Sequence, residues 1–118
     1  MVHKKLDVWK EAIKLTVEIY AITQNFPKEE IYGLTNQMRR CAVSIPSNIA
    51  EGCSRQTNKE TTQFLYISLG SSSELETQLI IAKELNYIKQ IDEILGKLTY
   101  IRKLIKGLIN HYKAKINS

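Results

Sequence analysis

The chain is poor in the residues that staple, break or metallate a fold. Its two cysteines, Cys41 and Cys53, lack the close spacing of a zinc-ligand pair and form no disulfide framework, so both are expected to be small core residues with no disulfide between them. Its two prolines, Pro27 and Pro46, leave long stretches in which a helical hydrogen-bond ladder need not be interrupted. Histidine is equally scarce, with His3 and His111 alone. A ferritin-type di-iron site needs Glu-x-x-His pairs on facing helices, and no glutamate stands three residues before His111. No apolar run approaches the roughly 20 residues that span a bilayer. The start, Met1-Val2-His3-Lys4-Lys5-Leu6-Asp7, lacks the apolar segment of a secretory signal, which leads us to expect a cytoplasmic protein.

Catalytic signatures are missing as well. There is neither a G-x-S-x-G elbow nor a G-x-x-x-x-G-K-[ST] phosphate loop, and Ser44 and Ser47 have no histidine or lysine close in sequence to activate them. Glu74 and Glu76 do not read as an acid/base pair, because two positions along a helix differ by about 200° of rotation. One of them is expected to pair with a basic group on another helix. The expectation is no enzyme, no metal and no cofactor.

What is present is helical periodicity. With 118 residues, 43% hydrophobic and 25% charged, the chain has the composition of a globular protein able to build one core. Leu6, Trp9, Ile13, Thr16 and Tyr20 recur at spacings of three and four, which is one face of a helix, with Trp9 as a core anchor. Ile31, Leu34, Met38, Cys41 and Ile45 repeat the pattern before it shifts to Ile49. Pro46 accounts for the shift, since it lacks an amide proton and crowds the carbonyl of Ala42, so a kink is predicted there, with Ser44 and Asn48 satisfying the freed backbone groups. Gly52 is the expected stop. Thr57-Asn58-Lys59-Glu60 has capping-box spacing and opens a third helix. Its stripe runs Leu65, Ser68, Ser72, Leu75, Leu79 and Ala82, with Phe64, Ile67 and Ile81 widening it, and the helix is expected to continue through Gly70-Ser71-Ser72-Ser73.

Asn86 suits a left-handed turn, after which Ile91, Ile94, Leu98, Ile101, Ile105, Leu108 and Tyr112 form a heptad seam. Leu95, Leu104 and Ile109 lie beside that seam and are the candidate residues of a subunit interface. The reading is an all-α, antiparallel up-down-up-down four-helix bundle, a single domain over residues 1–118, with helices at about 5–24, 31–52, 58–85 and 90–114.

Net charge is +5 and unevenly placed. Residues 89–118 carry seven basic groups against two acidic, an excess as large as that of the whole chain. Lys103, Lys106, Asn110 and Lys113 fall on one stripe opposite the seam, and Arg39 and Arg40 flank the apolar stripe of the second helix. These five cations are the candidate nucleic-acid contacts, because exposed basic groups neutralise phosphates and arginine can do so bidentately.

One family pattern runs through these elements. The segments Tyr32-Gly33-Leu34-Thr35, Gln37-Met38-Arg39-Arg40, Ser44-Ile45-Pro46-Ser47-Asn48-Ile49-Ala50-Glu51-Gly52, Leu75-Glu76-Thr77-Gln78-Leu79 and Asp7-Val8-Trp9-Lys10 resemble the four-helix-bundle family encoded by intervening sequences of 23S ribosomal RNA genes. The resemblance implies a bacterial cytoplasmic protein that assembles as a barrel-like homopentamer. A related branch, the accessory proteins of diversity-generating retroelements, implies nucleic acid and a reverse transcriptase as partners. Asn86, where the family often has glycine, and Lys89, where it has a hydroxyl cap, depart from the pattern only at a turn. The expected function is that of a non-catalytic oligomer that binds nucleic acid or scaffolds a nucleoprotein complex, with a protein-binding adaptor as the alternative.

Overall fold

The computed structural model describes residues 3–116; Met1 and Val2, from which the leader reading began, lie outside the described residues. Four α-helices carry the fold: α1 (Asp7–Thr23), α2 (Leu34–Cys53), α3 (Asn58–Glu84) and α4 (Asp92–Ile116). Short 3-10 turns at His3–Lys5 and Lys28–Glu30 precede α1 and α2, and no strand occurs among the described residues. The helices pack into a four-helix bundle of 50 × 24 × 21 Å. Helix α3 packs on α2 and α4, and α1 closes the other side against the same two helices, so α2 and α4 sit diagonally.

Hydrogen bonds between helices show how they are registered. Gly52 O accepts from Thr61 Oγ1 at 2.8 Å, Ile45 O from Ser68 Oγ at 2.7 Å, and Ser71 O from the Cys41 thiol at 3.0 Å, so α2 and α3 pair in opposite sequence order. Small side chains along α3 make these short approaches possible. Ser68 and Ser72 are fully buried and use their hydroxyls on backbone carbonyls, as buried polar groups must. The run Gly70-Ser71-Ser72-Ser73 stays helical for this reason, despite its low intrinsic propensity.

The core follows the periodicity of α3 and α4. Leu65, Leu75, Leu79 and Ala82 face Leu98, Ile101 and Ile105 within one buried cluster, each large side chain contributing about 1.5–3 kcal/mol. Leu108 is only half-buried; Ile109 takes its place in the core. Ile67 and Ile81 do not widen the core either, since both are about half exposed. On α1 the expected stripe is displaced by one register: Val8, Ala12, Leu15, Ile19 and Thr23 are buried, while Ile13 and Tyr20 are exposed and Trp9 sits half-buried, edge-on to His3. Ala12 explains the choice, because its methyl lets α1 approach the bundle where Ile13 would hold it off.

The helix ends are locally determined. Thr57 Oγ1 accepts from the Glu60 amide at 3.1 Å and donates to its carboxylate at 2.9 Å, an arrangement that stabilises the start of α3 by about 1 kcal/mol. Asn86 has φ 63 and turns the chain after α3. Gly52, in contrast, does not stop α2, which runs through Pro46 and Gly52 to Cys53 with Ser54 as its cap. Its lack of a side chain serves close packing: a Cβ there would lie 3.1 Å from both Phe64 Cβ and Thr61 O.

Candidate nucleic-acid interface

The outer face of α4 is set by its inner one. Because Ile101, Ile105, Ile109 and Tyr112 turn into the bundle, Lys103, Lys106, Asn110 and Lys113 are exposed on the other side. The three lysines form no salt bridge among the described residues, whereas the remaining cations of the helix's middle are already matched. Lys97 bridges Glu18 and Glu93, and the hydrogen bond to Glu18 raises its pKa. Arg102 turns toward α3, donating to Ser72 Oγ at 3.3 Å, Ser72 O at 3.2 Å and Glu76 at 3.2 Å. Glu76 is thus the α3 carboxylate that pairs with a basic group on another helix.

Aromatic rings accompany the cations where α4 ends beside the start of α3. Lys113 Nζ lies 3.3 Å from Tyr66 OH and 5.9 Å from its ring centroid. Arg55 rests 4.7 Å above Phe64, and Lys115 lies 5.5 Å from the Tyr112 ring. Tyr66 and Lys113 are far apart in the chain, and so their pairing carries no local sequence signal.

Arg39 and Arg40 do not join this face. They stand on α2, diagonal to α4, and they diverge from each other. Arg39 lies against α1, with Nε donating to Thr23 Oγ1 at 2.8 Å, Nη2 to Tyr20 O at 3.3 Å, and its guanidinium 4.7 Å over the Tyr20 ring. Arg40 lines a polar groove toward α3 that also holds Gln37, Ser44, Ser71, Glu74 and Gln78. Adjacent residues on a helix are about 100° apart, which suffices to send them to different neighbours.

In that groove Ser44 Oγ is 2.8 Å from Ser71 Oγ and 2.9 Å from Asn48 Nδ2, so its hydroxyl ties helices together with no imidazole as a partner. Burial, and then the nearby Glu74 carboxylate, push the Cys41 thiol up to about 12, which keeps it protonated and unreactive at neutral pH. Among the described residues no cluster of three or more His, Cys, Asp or Glu side chains could hold a metal ion. No helix there is long and apolar enough to cross a membrane.

The candidate interface leucines Leu95 and Leu104 are half-buried at the edge of the core. Leu104 lines an apolar groove of about 350 Å3 with Leu6, Val8 and Leu108, rimmed by Lys103. Ile109 is 3% exposed within the bundle's own core and has no surface left for a partner. On α3, Ile67, Gly70, Ile81 and Leu85 recur at helical spacing and are all exposed, with the Glu74 carboxylate among them. Among the described residues nothing lies within 4 Å of a Cβ built on Gly70.

Comparison with curated proteins returns no match. Among solved structures, a protein of unknown function from the S23 ribosomal protein family of Bacteroides thetaiotaomicron superposes with a TM-score of 0.77 at 26% identity, over 86% of this chain and 97% of that one. The family model described as 23S rRNA-intervening sequence protein matches residues 4–107. With nearly the whole chain matched and the bundle shared, the protein belongs to the 23S rRNA-intervening sequence protein family.

Proposed function

We propose that the chain is a non-catalytic, cytoplasmic bundle protein that self-associates and binds nucleic acid through phosphate contacts from Lys103, Lys106 and Lys113. The observation that carries this reading is their placement: three exposed lysines share one helix face without a carboxylate partner among the described residues, and Lys113 stands beside the Tyr66 ring. A solvated face neutralised by its own acids, as at Lys97, would attract no polyanion. Phosphate contacts hold a strand without reading its bases, so sequence preference should be slight. Affinity measured by fluorescence anisotropy should fall with salt at a logarithmic slope of about 0.7 to 0.9 per phosphate neutralised. Changing the three lysines to glutamine should weaken binding and flatten that slope with helicity unchanged. Equal binding by wild type and triple variant would refute the reading.

Self-association is supported by α3, whose Ile67, Ile81 and Leu85 are apolar on a face the bundle does not cover, with Gly70 open to close approach. A homopentamer, as the family resemblance implies, would repeat the lysine stripe around a ring. Light scattering should give a multiple of the 13.6 kDa chain, and Ile81→Glu should reduce it to one; a wild-type monomer throughout the micromolar range would refute self-association. The apolar groove beside Lys103 favours a second reading, in which a protein segment, such as one from a reverse transcriptase, docks there and the chain acts as an adaptor.

A further inference from the structure

The connection between α1 and α2 holds a cleft of about 610 Å3 that takes no part in the lysine face. Tyr32 stands at its edge with 93% of its surface exposed, next to Ile31 at 51%. Exposure on that scale buries nothing for the fold and leaves both faces of a planar ring free. Gln24 and Asn36 and the cations Lys28 and Arg39 line the same space. Arg39 is held rigidly there by Thr23 and Tyr20, so its charge is fixed in the wall. Thr35, 6% exposed, lines the cleft too, and its buried hydroxyl oxygen has no hydrogen-bond partner among the described residues. A buried hydroxyl left unpaired costs about 1–3 kcal/mol, a penalty that a ligand group reaching it would remove.

Two cations and, among the described residues, no carboxylate line the cleft. Glu29 and Glu30 follow Lys28 in the chain, and the Glu30 carboxylate is engaged elsewhere, accepting from the Leu34 amide at 3.1 Å and from Tyr87 OH at 2.9 Å. A flat, hydrogen-bonding ring that stacks on Tyr32, places its polar edge toward Asn36 and Thr35 and trails a phosphate toward Lys28 and Arg39 uses these five groups together. The geometry points to a site for one unpaired nucleotide of a single-stranded nucleic acid, with Tyr32 as the stacking platform. This inference rests on the nucleic-acid reading above and adds strand selectivity to it, because bases in a duplex do not offer their faces to a side chain.

The two sites lie toward opposite ends of the 50 Å bundle and differ in physics, which makes them separable. Stacking is insensitive to salt, whereas phosphate neutralisation is not. The test is an anisotropy titration with a labelled oligo-deoxythymidylate long enough to span the bundle, alone and annealed to oligo-deoxyadenylate. Tyr32→Ala should weaken single-strand binding about fivefold or more, the lower end for loss of one stacking platform, with duplex affinity unchanged. Tyr32→Phe should bind as wild type. The near-complete exposure of Tyr32 makes misfolding a poor explanation for any loss, and circular dichroism checks it. If Tyr32→Ala binds the single strand as wild type does, or loses duplex binding equally, this inference is overturned. Retained lysine dependence in that case leaves the lysine face standing; a wild type that binds neither form removes both.

Discussion

The hydroxyl of Thr16 on α1 lies 3.1 Å from the carbonyl oxygen of Ala42 on α2, the acceptor that Pro46 leaves without its helical donor. The same hydroxyl donates at 2.8 Å to Ala12 O, so one proton serves both carbonyls. Asn48, which stands closer in sequence, bonds Ser44 O instead, at 2.8 Å. The repair of the broken ladder thus comes from another helix.

Thr16→Val should consequently destabilise the protein by about 1 kcal/mol in urea denaturation, the usual value of a hydrogen bond whose acceptor is left unpaired. In a Pro46→Ala background, where residue 46 regains an amide proton, the same change should cost measurably less. A double-mutant cycle with no coupling would remove Ala42 as the partner.

Two glycines should respond oppositely to alanine. Gly52→Ala places a methyl 3.1 Å from Thr61 O and Phe64 Cβ, and overpacking at the α2–α3 contact should cost about 1–3 kcal/mol. At Gly70 there is open space, so Gly70→Ala should raise thermal stability through helix propensity, by about 0.5–1 kcal/mol. If α3 docks on a second copy at this face, the same substitution should weaken association, which sedimentation or light scattering will read.

Cys41 predicts a loss of stability in alkali. Its folded pKa is raised from 9.0 to about 12, chiefly by burial, so its contribution is complete below pH 9 and is lost as pH rises through 12. Denaturation midpoints should fall across that window, and Cys41→Ala should flatten the fall. The native thiol should also resist alkylation at pH 8 until the protein unfolds.

Thr35→Val should stabilise the free protein by on the order of 1 kcal/mol, because it removes a buried hydroxyl that has no partner. The measurement is a thermal melt without ligand. The same variant should bind the single strand more weakly, a combination that simple loss of packing would not produce.

What the sequence by itself determined is whatever closes within a turn or two of helix. The capping box of Thr57 and Glu60, the left-handed Asn86 and the buried stripes of α3 and α4 all depend on neighbours three or four positions away, and all were legible. Only the tertiary structure decided which face of α1 turns inward, because Trp9–Ile13 and Val8–Ala12–Leu15 are both apolar rows and the closeness of the α2 backbone selects the one containing alanine. It likewise decided that Arg39 and Arg40 part company, that Ile109 belongs to the core, and that Tyr66 meets Lys113. Each of those outcomes depends on the rotation of one helix against another, and that rotation is set by the packing of all four together.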